Sequence, residues 1–79
     1  MNAVLDGANL AEADFSRADF SYASLNGSHL SDANLQFANL TGANLDNSNL
    51  YQANLSGAVL KAAKLRWANL RSANLQGWI

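Results

Sequence analysis

Ala33-Asn34-Leu35-Gln36-Phe37-Ala38-Asn39-Leu40-Thr41-Gly42-Ala43-Asn44-Leu45 repeats Ala-Asn-Leu at a spacing of five, and the whole 79-residue chain keeps that beat. From Leu5 to Leu75 every fifth residue is Leu, apart from Phe15 and Phe20. Two positions earlier stands Ala, replaced by Ser only at Ser28 and Ser48. Neither regular secondary structure accommodates this period. On a continuous helix, positions five apart are rotated by roughly 140°, and the leucines would wind over every face. On a flat strand side chains alternate, so an odd spacing sends successive leucines to opposite faces. The chain must bend once in every repeat.

If Ala-x-Leu is extended, Ala and Leu share the inner face, x points outward, and the next two residues turn. The glycines agree with that division. Gly7, Gly27, Gly42, Gly57 and Gly77 all fall two residues after a Leu, where a turn can take a positive φ without steric cost. Asn, Asp and Ser crowd the outward and turn positions, as turn chemistry prefers. The expected core is thus Leu5, Leu10, Phe15, Phe20, Leu25, Leu30, Leu35, Leu40, Leu45, Leu50, Leu55, Leu60, Leu65, Leu70 and Leu75.

The segments Ala8-Asn9-Leu10, Ala13-Asp14-Phe15, Ala18-Asp19-Phe20, Ala53-Asn54-Leu55 and Ala73-Asn74-Leu75 resemble the A(D/N)LXX signature of the pentapeptide-repeat family. The resemblance spans residues 3–77. It implies an all-β fold, a right-handed quadrilateral parallel β-helix with four repeats per square coil and about four coils in all. The chain is then a single domain over residues 1–79, with Trp78 and Ile79 beyond the repeats. Strands stacked about 4.8 Å apart give a rod only about 19 Å long.

A hydrophobic content of 49% is largely Ala with dispersed Leu, and no apolar run approaches the roughly 18 residues of a membrane span. There is no basic-then-apolar leader pattern. With no Cys, disulfides and thiolate metal sites are excluded. A soluble chain in the cytoplasm is the default expectation. The net charge is −1, but residues 1–46 carry all six acids and a single base, Arg17, while residues 47–79 carry Lys61, Lys64, Arg66 and Arg71 and no acid. In a rod this is a charge dipole along the axis, suited to attraction between opposite ends or to a partner.

Residues twenty apart should stack. Asn34, Asn54 and Asn74 then form one surface column and Asn49 and Asn69 another, which invites amide ladders from coil to coil. Asp46 above Arg66 reads as a surface ion pair. Arg17 over Phe37 and Tyr51 over Arg71 read as cation–π contacts. His29 has only Asn neighbours in its column and lacks the acid and nucleophile of a catalytic group. Glu12 over Asp32 is a like-charge pair, short of the ligand set of a metal cage.

The outward aromatics Tyr22, Phe37, Tyr51 and Trp67 suggest binding surface, since Trp, Tyr and Arg dominate interface hot spots. Tyr22 and Phe37 are expected near opposite corners. Lys64, Arg66, Trp67 and Arg71 are the one local cluster joining charge to a large ring. Trp78 stands where Ala should be, so the chain is expected to leave the coil at Gly77. Trp78 and Ile79 would then fold over the last layer as a hydrophobic plug or self-association surface. Leu5, Leu10, Phe15 and Phe20 would line the other end, with open backbone groups and without the cap such arrays use.

No GxSxG, P-loop, HExxH or Cys/His constellation is present, and a filled coil offers no deep pocket. An enzyme is therefore not expected, nor is a cofactor or bound metal. Four bases in one region do not make the basic stripe of a nucleic-acid binder. The leading expectation is a structural or protein-interaction module with a rigid surface, forming homo-oligomers through its uncapped ends. The alternative comes from the resemblance: quinolone-resistance members of that family are long acidic rods that mimic DNA and bind the topoisomerase gyrase. This chain is shorter, and its second half is basic.

Overall fold

The computed structural model describes residues 2–78. Ile79, half of the expected C-terminal plug, lies outside them. Every repeat follows the same path. The middle residue of Ala-x-Leu makes an isolated parallel bridge, and the next two residues turn. The bridges join Asn9 to His29, Asn34 to Asn54 and Asn54 to Asn74, always twenty residues on. The chain therefore stacks on itself in successive layers, residues 3–22, 23–42, 43–62 and 63–78. Only one residue per side is bridged, because the bend after each Leu stops the strand from growing.

Backbone bonds hold these layers. The Leu10 amide donates to the His29 carbonyl at 2.7 Å, the His29 amide to Ala8 at 2.9 Å, and the Glu12 amide to Ser31 at 2.9 Å. The turn itself closes with Ala13 donating to Leu10 at 3.3 Å. The pattern recurs along the chain. Its turn needs a positive φ at the second turn residue, as in a type II turn. All fifteen such residues have it, from Gly7 at 69° to Gly77 at 72°. Ten of them are not glycine, and they include Arg17, Tyr22, Phe37 and Trp67. No β-branched residue stands there, where its bulk would be hardest to accept.

Inside, Leu25, Leu30, Leu35, Leu40, Leu45, Leu50 and Leu55 are fully buried, with Ala33, Ala38, Ala43 and Ala53 beside them. Each buried Leu contributes about 1.5–3 kcal/mol relative to exposure. Leu5, Leu10 and Phe15 at one end, and Leu65, Leu70 and Leu75 at the other, are only partly covered. The rings of Phe15 and Phe20 meet edge to face, 5.1 Å between centroids, and Phe20 is buried. Ser28 and Ser48, at the Ala position of consecutive layers, are buried with hydroxyls that find no partner.

Two expectations need correction here. The Asn columns are not chiefly ladders: among the described residues, the one amide-to-amide bond between layers runs from Asn69 Nδ2 to Asn49 Oδ1, at 3.5 Å. Nor does the backbone leave the coil at Gly77. Its φ of 72° and the Trp78 amide donating to Leu75 at 3.1 Å repeat the regular turn. The backbone can stay on path because Trp78 remains 45% exposed and is not forced into the Ala slot.

Candidate interaction surface

The outward Asn and Asp have a local task. In each repeat the first turn residue has an amide that no neighbouring layer accepts. Asn34 Oδ1 accepts it from Gln36 at 3.0 Å, Asn54 from Ser56 at 3.1 Å, and Asp14 from Ser16 at 3.0 Å. All ten repeats with Asn or Asp at x make this bond. It is an Asx turn.

Where x is Ser24 or Lys64, an acid from the layer before takes over. Asp6 accepts the Asn26 amide at 3.1 Å and the Ser24 hydroxyl, and Asp46 accepts the Arg66 amide at 2.9 Å. Val4, His29 and Val59 supply no such acceptor. Among the described residues, the amides of Asp6, Ser31 and Lys61 have no intramolecular partner. This substitution was legible in principle: Asp6 and Asp46 are the only acids at the first turn position.

Asp46 is therefore more than half of a surface pair. Its Oδ2 accepts Arg66 Nη2 at 2.8 Å and Nε at 3.2 Å while Oδ1 holds the amide. The carboxylate is almost fully enclosed, although the Arg66 side chain is 65% exposed. The Arg66 hydrogen bond holds the Asp46 carboxyl below its ordinary range and raises Arg66 in turn. Asp14 is lowered by the Ser16 amide, and Asp19 first by the Ser21 hydroxyl.

The clamped Arg66 guanidinium lies over the Trp67 ring, 5.4 Å from its centroid. Lys64 is outward on the preceding side, so Lys64, Arg66 and Trp67 surround one corner. Arg71 belongs to the next corner, tied by its amide to Asn69 Oδ1. Trp78 is exposed, and Ile79 lies outside the described residues. Arg17 sits over Phe37 at 4.9 Å as expected. Tyr51 and Arg71 make no such contact among the described residues, because Tyr51 occupies the first turn position and not the second.

Rings at the second turn position lean onto the following layer. A Cβ at Gly42 would lie 2.5 Å from Cδ1 and Cε1 of Tyr22, and one at Gly57 would lie 2.6 Å from the same atoms of Phe37. Gly42 is the turn directly after Phe37, so Tyr22 and Phe37 occupy neighbouring corners, not opposite ones. Sequence reasoning missed this ring-on-glycine pairing, though the spacing of twenty between each ring and its glycine was on view.

His29 is exposed and Ser28 faces inward. Among the described residues no three acids or histidines gather as metal ligands, and the surface has no concave pocket. No helix among them is long and apolar enough to cross a membrane.

The sequence profile of pentapeptide repeats matches residues 1–36 and 38–77, in eight copies. Among solved structures, the pentapeptide repeat protein alr5209 from Nostoc Pcc 7120 is 42% identical with a TM-score of 0.91, over 92% of this chain and 60% of that one. AT2G44920, a pentapeptide repeat protein from the Arabidopsis thaliana thylakoid lumen, is 35% identical with a TM-score of 0.85, over 89% and 49%. Rfr23 from the cyanobacterium Cyanothece 51142 is 40% identical with a TM-score of 0.55, over 98% and 56%. The chain thus spans between 49% and 60% of the length of these structures. No curated protein matches it.

Proposed function

The chain belongs to the pentapeptide-repeat family, and from that premise we propose that it is a structural and protein-interaction module without catalytic activity, working from the cytoplasm. The register of twenty supports a square coil of about four turns, and family membership supports a right-handed one. One observation carries the functional reading. The inner slots of residues 3–75 take only Leu, Phe, Ala and Ser, and most of the first-turn amides are capped by side chains, so sequence variety is confined to a stiff outer lattice. On that lattice Lys64, Arg66, Trp67 and Arg71 combine charge with the most exposed ring, which is hot-spot chemistry. Self-association through the coil ends belongs to the same reading.

The test is site-specific photo-crosslinking in cell extract. A photoreactive side chain at Asn47, one layer before Trp67 at the same corner, should give a discrete adduct, and one at Ser16, half a circuit away, should not. Equal labelling from both positions would count against a defined surface. The rival, a gyrase-binding DNA mimic, draws on the acids of residues 1–46. A supercoiling assay decides it: unaffected gyrase at micromolar chain removes the rival, and inhibition installs it.

A further inference from the structure

We propose that a second copy of this chain seats on the layer 63–78 in the register the chain uses internally, with the Trp67 indole resting on Gly7 of that copy. The inference rests on the interaction-module reading and names its partner.

Three observations converge. The first is the ring-on-glycine pairing. Tyr22 lies on Gly42 and Phe37 on Gly57, each twenty residues on. Trp67 is the third aromatic at this turn position, on the last described layer, and is 76% exposed against 64% and 54% for the other two. Place the copy so that its Val4 follows Lys64 as Lys64 follows Asn44. The residue twenty beyond Trp67 is then Gly7, where an added Cβ would meet nothing within 4 Å. Rotating the copy by one or two repeats would put Glu12 or Arg17 there instead, each with a side chain in the seat.

The second is the backbone. Among the described residues, the amides of Leu65, Leu70 and Leu75 and the carbonyls of Ala63, Ala68 and Ala73 have no later layer to meet. At the other end, the amides and carbonyls of Val4, Asn9 and Asp14 have no earlier one. In the proposed register, Leu65 meets Val4, Leu70 meets Asn9 and Leu75 meets Asp14, and the return bonds run to the three alanines. Unpaired edges of this kind are templates for added strands.

The third is charge. Residues 3–22 carry four acids and one base, and residues 63–78 three bases and no acid. The register continues the column Asp46, Arg66 with Asp6 of the copy, so the guanidinium lies between two carboxylates. Complementary ends of this kind speed and orient encounter.

Such a contact is heterologous and does not close on itself, so it builds open series. Sedimentation velocity of the 79-residue chain at low salt should show mean mass rising with concentration, and falling again at high salt. Trp67→Ala should weaken association by roughly tenfold or more. Gly7→Asn should do the same by filling the seat, since Asn tolerates the left-handed turn. Gly27→Asn, at an equally open internal glycine, is the control and should leave association unchanged. Each damaged variant keeps one good end, so mixing Trp67→Ala with Gly7→Asn should yield one-to-one dimers and nothing longer. A chain monomeric at every concentration, or a mixture that stays monomeric, overturns the proposal. Neither result touches the crosslinking test of the module itself.

Discussion

At the scale of the residue, the outward Asn explains the motif. Its side-chain oxygen accepts the one turn amide that stacking leaves over, so Asn in Ala-Asn-Leu is structural before it is surface. Replacing it strands that amide. Asn54→Ala should cost about 1 kcal/mol. The converse change is more telling. His29 occupies the same position without serving the Ser31 amide, and it is exposed. His29→Asn should therefore stabilise the fold by about 0.5–1 kcal/mol, read as a higher urea midpoint with an unchanged slope. A lowered midpoint would mean that the cap is not what the position selects.

At the scale of the element, each turn is a strained unit that tolerates side chains at a cost. A left-handed conformation costs a non-glycine residue roughly 1–2 kcal/mol, and ten turns here bear it. The layers must return this through their backbone bonds and buried leucines. The glycines separate strain from packing. Gly27→Ala meets open space and should cost about 1 kcal/mol from strain alone. Gly42→Ala drives a methyl into the Tyr22 ring and should cost about 1 kcal/mol more, the ring being displaced from its seat. In a Tyr22→Ala background that excess should vanish, and a double-mutant cycle on thermal midpoints checks it.

At the scale of the molecule, principal extents of 25 × 22 × 19 Å describe a block rather than a long rod. Charge acts at this scale too. Asp14, Asp19 and Asp46 are held below the ordinary carboxylate range by hydrogen bonds that favour the ionised form. The unfolded chain, with carboxyls near the ordinary value of about 3.9, binds protons first as pH falls. The stabilisation they contribute is complete well above that value and is lost as pH falls through it toward the folded values. Urea midpoints should be level from pH 7 to about 5 and drop below about 4. Asp46→Asn should flatten that drop, and a midpoint that holds to pH 3 would refute the assignment.

Much of this protein is determined by its sequence alone. A period of five that fits neither helix nor strand forces a bend in every repeat, and Leu, Phe and Ala at fixed phase name the core. That inference needs only local geometry and solvent, which is why Leu35, Leu40 and Leu45 are buried where the phase puts them. Contacts between layers were another matter. The reach of Asp46 to the Arg66 amide and the rings seated on Gly42 and Gly57 depend on which way a side chain leans once the layer above is in place, and the local caps from Asn34 and Asn54 answer an amide that stacking leaves over. Phase along a chain says which residues stack. Only the folded backbone decides which amide is left unpaired, and therefore which oxygen turns toward it.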